Sequence, residues 1–180
     1  ESGLWIRKDY PDFGFDLTNY SGRMAGKYGS RNPPNKIKQF GLEHAIRKAT
    51  RLENSIEQIA DFLDNGYGIS SCGGEGFSSN RNEDGVSSRR GSWAHAMAVF
   101  GVDMRPDMVR RYGSPLVLIQ NSWGNWNSGP RKIKGTNFMI PKGSFWARWS
   151  DVRRRSYYAL SGFNGFPPQK LPHLGSVGVI

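Results

Sequence analysis

Two short apolar segments, each beside a residue able to do chemistry, constrain the fold of this chain most strongly. Residues 116–119 read Leu-Val-Leu-Ile and lead into Asn121, and residues 94–102 surround His95 with small and branched apolar side chains. Short apolar runs between turn residues are typical of buried strands. Together with a third segment at residues 137–140, they predict an antiparallel sheet.

Local signals in the first half of the chain predict helices and a loop. Ser55 can cap a helix, Gln58 follows three residues later as in a capping box, and Gly66 suits the end of that helix. Apolar spacing over residues 36–49 predicts further helical turns. Residues 73–91 are polar and rich in Gly, which predicts a loop without regular structure.

The two apolar segments carry a pattern that resembles a known family of enzymes. His95 lies in Trp-Ala-His-Ala-Met, and Asn121 begins Asn-Ser-Trp-Gly, which Ser122, Trp123 and Gly124 complete. In type and order these residues resemble the histidine and asparagine part of the papain-like cysteine peptidases. Each motif alone is weak, but both together in this order favour papain-like ancestry.

The resemblance covers about residues 55–150 and implies an α+β, papain-like fold. The part present is expected to be mainly the antiparallel β-barrel-like half, with one or two helices and extended N- and C-terminal arms. We predict a loop-rich N-terminal segment at 1–54 that packs on the domain, a His/Asn half-domain at 55–162 and a Gly/Pro-rich arm at 163–180. One departure from the family is a longer connection around residues 104–112.

The resemblance also implies a role for each matched side chain. His95 would be the general base, Asn121 would orient its imidazole, and Trp123 would shield their hydrogen bond from water. In the family, the nucleophilic Cys precedes the His by a longer stretch than this sequence offers. We therefore expect that Cys, and the Gln that binds the oxyanion, on an upstream segment or on a protein partner. This chain alone is expected to be inactive.

Cys72 is the single cysteine, so a relocated nucleophile is the alternative role to weigh for it. It precedes His95, and the two glycines after it would offer flexible backbone amides. A small, partly buried thiol is the better interpretation, and Ser70 and Ser71 are weaker candidates still. With one cysteine the chain forms no internal disulfide, and the cysteine count does not determine the redox compartment of the protein.

The chain is strongly basic, with 25 Lys and Arg residues against 15 acidic ones and a formal charge of +10. Such a charge attracts nucleic acid or acidic surfaces without specificity. The basic residues are scattered apart from short runs such as residues 153–155, which favours a solvated surface over a nucleic-acid site. His44 and His173 lack neighbours at metal-ligand spacing, so we expect no metal and no cofactor. No apolar run has the length for membrane insertion.

Two hypotheses about function follow. In the first, the chain is part of a papain-like cysteine peptidase that hydrolyses peptide bonds when the Cys segment is supplied. In the second, it is a catalytically inactive papain-like fold that packs against neighbouring subunits of a larger assembly, such as a phage virion. The residue at the family's Cys position discriminates between them, because only a thiol there completes the catalytic cycle.

Overall fold

The structure, a computed structural model, describes residues 9–24, 41–42, 44–132 and 137–163. Within these residues the strands are β1 Asp9–Tyr10, β2 Phe15–Asp16, β3 Ile46–Arg51, β4 Gly68–Arg81, β5 Ser87–Asp103, β6 Leu116–Gln120, β7 Ser144–Arg148 and β8 Ser156–Phe163. The helices whose two ends both lie in these residues are α1 Ile56–Asp64, α2 Pro106–Tyr112 and the single turn α3 Trp149–Val152, and a 3-10 turn spans Pro11–Phe13. Residues 22–24 and 41–42 are helical as well. The described residues between 49 and 160 belong to one compact unit, which contains the candidate site.

Six strands form one sheet in the order β3-β8-β4-β5-β6-β7, and β1 pairs with β2 separately. The pairings of β4 with β5 and β8, of β5 with β6, and of β6 with β7 are all antiparallel. Among the described strands, β3 and β7 end the sheet without pairing with each other. The prediction of an antiparallel sheet is confirmed, but the sheet is open and does not close into a barrel.

Strand β6 is buried on both faces of the sheet, as the alternation of its side chains shows. Val117 and Ile119 belong to a core cluster that includes residues of α1, β4, β5, β7 and β8, whereas Leu116 and Leu118 belong to a second cluster with Met108 of α2. Successive side chains of a strand point to opposite faces. A strand buried on both faces therefore appears in the sequence as the continuous apolar run at 116–119.

Helix α1 begins where the sequence predicts it. The Ser55 hydroxyl accepts a hydrogen bond from the Gln58 backbone amide at 3.2 Å, while the Gln58 side chain accepts from the Glu53 amide at 2.7 Å. Gly66 follows the helix with a φ of 77°, which glycine adopts without strain. Ile56 and Ile59 place the helix on the sheet. No helix in the described part of the chain is long and apolar enough to cross a membrane.

Several local predictions are wrong because pairing between distant segments decides the structure. Of the predicted helical turns at 36–49, the described residues 41–42 are helical, but residues 46–49 belong to strand β3, and the predicted loop at 73–91 lies in a hairpin. In that hairpin β4 continues to Arg81, the chain turns, and β5 begins at Ser87, with register shifts along the pair. Backbone pairing across the hairpin compensates for the poor strand propensity of its glycines and serines.

The third predicted strand is also displaced along the chain. Residues 137–140 contribute only an isolated bridge between Lys132 and Met139, whereas the strand that extends the sheet is β7 at Ser144–Arg148. The connection between β5 and β6 contains helix α2, which begins at Pro106 and ends before Gly113. Its buried Met108 anchors it to the second core cluster.

The cap of α1 gives a test of the local energetics. We expect Ser55→Ala to lower the free energy of unfolding by about 1 kcal/mol, because the Gln58 amide loses its acceptor. The exposed strand residue Ser88 offers a matched control, and Ser88→Ala is expected to change stability by less than about 0.5 kcal/mol. Urea unfolding of the purified protein measures both, and equal stabilities of the two variants would contradict the assigned cap.

Candidate active site

His95 and Asn121 meet where β5 and β6 stop pairing. The last pair at that end of the two strands joins Ala98 to Gln120. His95 precedes Ala98 in β5, and Asn121 directly follows β6, so both lie beyond this pair. His95 Nε2 and Asn121 Oδ1 are 2.9 Å apart, within hydrogen-bond distance. A contact between side chains thus bridges the two segments beyond the end of the backbone ladder.

This contact determines which imidazole nitrogen is basic. A carboxamide oxygen only accepts hydrogen bonds, so Asn121 Oδ1 holds the proton of a neutral His95 ring on Nε2. The other nitrogen, Nδ1, is then the one that can take up a proton. Asn121 is 1% exposed, so water does not compete for its side chain. The pair therefore has the chemistry of a general base and its orienting partner.

Trp123 lies against the imidazole of His95. The two ring centroids are 4.9 Å apart and the planes differ by 25°, which is a stacked arrangement. Trp123 in turn contacts Trp93 at 4.9 Å and Trp126 at 5.7 Å, and Trp126 contacts the buried Phe145 at 5.8 Å. A continuous aromatic cluster therefore connects the histidine ring to the core and limits its rotation.

Side-chain hydrogen bonds tie the first part of the β6–β7 connection, directly after β6, to its last residues before β7. Gln120 Nε2 donates to the backbone oxygens of Asn121 at 2.8 Å and Lys142 at 3.0 Å, and its Oε1 accepts from the Ser144 hydroxyl. The Trp126 indole donates to the Gly143 oxygen at 3.0 Å. These contacts fix the backbone from which Asn121 and Trp123 project.

The buried guanidinium of Arg81 fixes the far end of the same segment. It donates to the Ser144 oxygen at 2.7 Å, to the Gly129 oxygen at 2.8 Å and to Asn127 Oδ1 at 3.1 Å. Burial lowers the pKa of Arg81, and the nearby positive charge of Arg131 adds to that effect. The planar fork of an arginine suits several carbonyl acceptors at once.

Cys72 lies on the other face of the sheet from His95. In the β4–β5 register Gly73 is opposite His95 and Cys72 is opposite Ala96, and directly opposite residues point to the same face. Neighbours in a strand point to opposite faces. The Cys72 thiol, 3.8 Å from the Ser70 hydroxyl, therefore does not share the face from which His95 projects. Ser70 lies on the same face as Cys72, and Ser71 is fully buried.

The structure adds a buried cation that the sequence prediction missed. The run at 153–155 was expected to be solvated, but Arg155 is 1% exposed and its guanidinium contacts Glu75 and the backbone of His95. The signal that would have revealed it is period-two alternation. Arg155, Tyr157 and Ala159 occupy every second position, and the last two are buried core residues.

The histidines outside the motif do not assemble a metal centre in the part of the chain that the structure describes. Within residues 9–24, 41–42, 44–132 and 137–163, no group of three or more His, Cys, Asp and Glu side chains could hold a metal ion. His44 is described and buried, and it lies outside the unit that contains His95. His173 lies outside the described residues.

Comparison with solved structures identifies the fold. The chain is similar to the clostridial cysteine protease Cwp84 after propeptide cleavage, with 20% identity and a TM-score of 0.50 over 87% of this chain and 37% of that one. A structure of the cysteine protease and lectin-like domains of Cwp84 from Clostridium difficile has 20% identity and a TM-score of 0.48, over 87% of this chain and 33% of that one. Xylellain, a cysteine protease from Xylella fastidiosa, has 16% identity and a TM-score of 0.47, over 84% of this chain and 55% of that one.

The chain therefore has the fold of papain-like cysteine proteases, as the resemblance in sequence implied. It spans about a third to a little over half of the length of these solved structures. No family model matches the sequence, and no curated protein matches it either. At this level of identity the likeness identifies the fold, and the function must be inferred from the site itself.

The β6–β7 connection gives a test of how the site is held. A Cβ on Gly143 would lie 2.2 Å from the Gly124 backbone oxygen, whereas Gly113 has open space around it, and both have positive φ. Gly113→Ala is expected to cost about 1 kcal/mol of stability from the backbone conformation alone. Gly143→Ala is expected to cost at least about 2 kcal/mol more, because main chain must move. Urea unfolding compares the two, and equal losses would contradict the close approach beneath the site.

Proposed function

We propose that this chain supplies the general base and its orienting residue to a cysteine peptidase. His95 is the base, Asn121 orients it, and Trp123 shields their contact. The hydrogen bond of 2.9 Å between Nε2 and Oδ1, beneath a stacked indole, is the observation that carries the proposal. The nucleophilic thiol and the Gln that binds the oxyanion belong, in this proposal, to polypeptide beyond these 180 residues.

The geometry supports the usual division of labour in acyl transfer. With Nε2 holding its proton towards Asn121, Nδ1 accepts the proton of the thiol, and the resulting thiolate attacks the carbonyl carbon of the substrate. The imidazolium then returns this proton to the nitrogen of the departing amine as the peptide bond breaks. In the second half, Nδ1 takes a proton from water, whose oxygen attacks the thioester carbonyl. The C–S bond breaks, the carboxylic acid leaves, and the imidazolium returns the proton to the sulfur. Asn121 keeps the ring in one orientation throughout.

The position of Cys72 supports a thiol from elsewhere. Its side chain and that of His95 project from opposite faces of the sheet, so proton transfer between them would need the strand to turn over. A one-residue register slip that did this would also expose Met97 and Val99, which are now 4% and 2% exposed. The core therefore opposes the rearrangement that Cys72 would need.

Labelling of the full-length gene product by an epoxide that alkylates activated thiolates tests the proposal. We expect one cysteine other than Cys72 to be labelled. His95→Ala is expected to slow labelling near neutral pH by about 100-fold, because the thiol loses its base. A folded protein without such a thiol, or with labelling that His95→Ala does not affect, would contradict the proposal and favour the inactive fold.

The same assay tests the assignment of Cys72. Cys72→Ala is expected to leave the labelling rate and peptidase activity within about twofold of wild type, since its thiol lies on the other face. Mass spectrometry of the labelled peptide gives the site directly. Label on Cys72, with activity abolished by Cys72→Ala, would show that the nucleophile lies within this chain after all.

A further inference from the structure

We infer that Arg155 is a positioning residue for His95 and acts through the backbone of β5. This inference rests on the proposed function, because it assigns Arg155 the task of holding the base in place. Among the hydrogen bonds of the described residues, the guanidinium of Arg155 makes none to the imidazole; it donates to the backbone oxygen of His95 at 2.8 Å. It is therefore distinct from the residues that act on substrate.

Three strands bring Arg155 to this position. Tyr157 of β8 pairs with Ser71, and Ser156 pairs with Cys72, so Arg155 lies beside Gly73 in the next row. Gly73 is in turn opposite His95. A Cβ on Gly73 would be 2.7 Å from Arg155 Cγ and 2.7 Å from Glu75 Oε2. The absence of a side chain at Gly73 is therefore what lets Arg155 reach across β4 to β5.

The guanidinium is fully engaged at this point. Its Nε donates to the Ser71 hydroxyl at 2.7 Å, and one terminal nitrogen donates to Glu75 Oε2 at 3.0 Å and to the Glu75 backbone oxygen at 3.3 Å. The other terminal nitrogen donates to His95 and, at 3.4 Å, to the Ser71 oxygen. Three backbone carbonyls on two strands are thus tied to one planar group.

The contact coincides with an irregularity in the sheet. Between the pairs Gly73–His95 and Glu75–Ser92 the register shifts, so two residues of β5 face one residue of β4. A bulge of this kind interrupts the backbone ladder and re-aims the neighbouring side chains. Arg155 supplies hydrogen bonds where the ladder is interrupted, and so fixes the direction in which β5 presents His95.

The ion pair between Arg155 and Glu75 is expected to contribute more to the position of His95 than to the stability of the fold. Burying two charges costs desolvation energy that their attraction largely offsets, so a buried pair adds little net stability. However, a pair in which the cation also binds the backbone oxygen of the base does fix the position of that base. Misplacing a catalytic group by about 1 Å can lower a rate by about 100-fold. The expected contribution of Arg155 is therefore to kcat.

Gly73→Ala and Gly74→Ala form a matched pair that tests this role in the full-length protein. The first places a methyl group on Arg155 Cγ, whereas a Cβ on Gly74 would have only the Ser92 hydroxyl, at 3.8 Å, within 4 Å. We expect Gly73→Ala to lower kcat by about 10- to 100-fold with KM nearly unchanged. Gly74→Ala is expected to stay within about twofold of wild type for both constants.

A spectroscopic readout separates positioning from general destabilisation. In protein labelled with 15N-histidine, the Nε2 proton of His95 is assigned by its absence from His95→Ala. We expect this resonance to shift or broaden in Gly73→Ala and to stay unchanged in Gly74→Ala. If Gly73→Ala does not fold, Arg155→Lys replaces it, because lysine keeps the charge but loses the fork; the same loss of kcat and shift are expected.

The outcomes distinguish this inference from the proposal on which it rests. If His95→Ala abolishes activity while Gly73→Ala, or Arg155→Lys in its place, leaves kcat and the His95 resonance as in wild type, the positioning role is overturned and the peptidase proposal stands. If activity survives His95→Ala, the peptidase proposal fails. If the His95 resonance still shifted in Gly73→Ala, Arg155 would position His95, but this positioning would have no role in peptidase activity.

Discussion

The candidate site depends on the register in which β5 pairs with β6. Their last pair, Ala98 with Gln120, leaves His95 and Asn121 just beyond the end of the ladder, at a separation that one hydrogen bond spans. A slip of one residue would turn His95 to the opposite face and expose Met97 and Val99, which lie on the same face as His95. The packing of Met97, Val99 and their neighbours therefore keeps His95 next to Asn121.

Two buried arginines serve the same physical purpose on either side of this pair. Arg81 ties Gly129 and Ser144, and Arg155 ties His95 to Ser71 and Glu75. Arg155 binds backbone beside the register shift between the pairs Gly73–His95 and Glu75–Ser92, and Arg81 binds the carbonyl of Gly129 outside the strands. A guanidinium has five donors in one plane, so a single side chain can satisfy several such acceptors in the interior. The proposed catalytic geometry is thus supported by cations that stay away from the reacting atoms.

Sequence alone predicted those parts of the fold that short-range chemistry determines. The cap at Ser55 fixed the start of α1, and the motifs around His95 and Asn121 identified two residues that the structure places in contact. The hairpin over residues 73–91 and strand β3 were missed, because pairing with distant segments stabilises them against weak local preferences. Arg155 was missed for the same reason: its burial follows only once β8 is known to be a strand.

The connection between β5 and β6 lies at the opposite end of these strands from His95 and Asn121. Pairing from Asp103–Leu116 to Ala98–Gln120 separates the two ends, and Arg111 and Tyr112 of α2 bind the buried Asp84 in the β4–β5 turn. A change in the length of this connection is therefore expected to leave the contact between His95 and Asn121 unchanged. An engineer who needs to insert a tag or reporter domain therefore has a position at Gly113, which is exposed and has open space around it, although α2 itself is anchored by Met108.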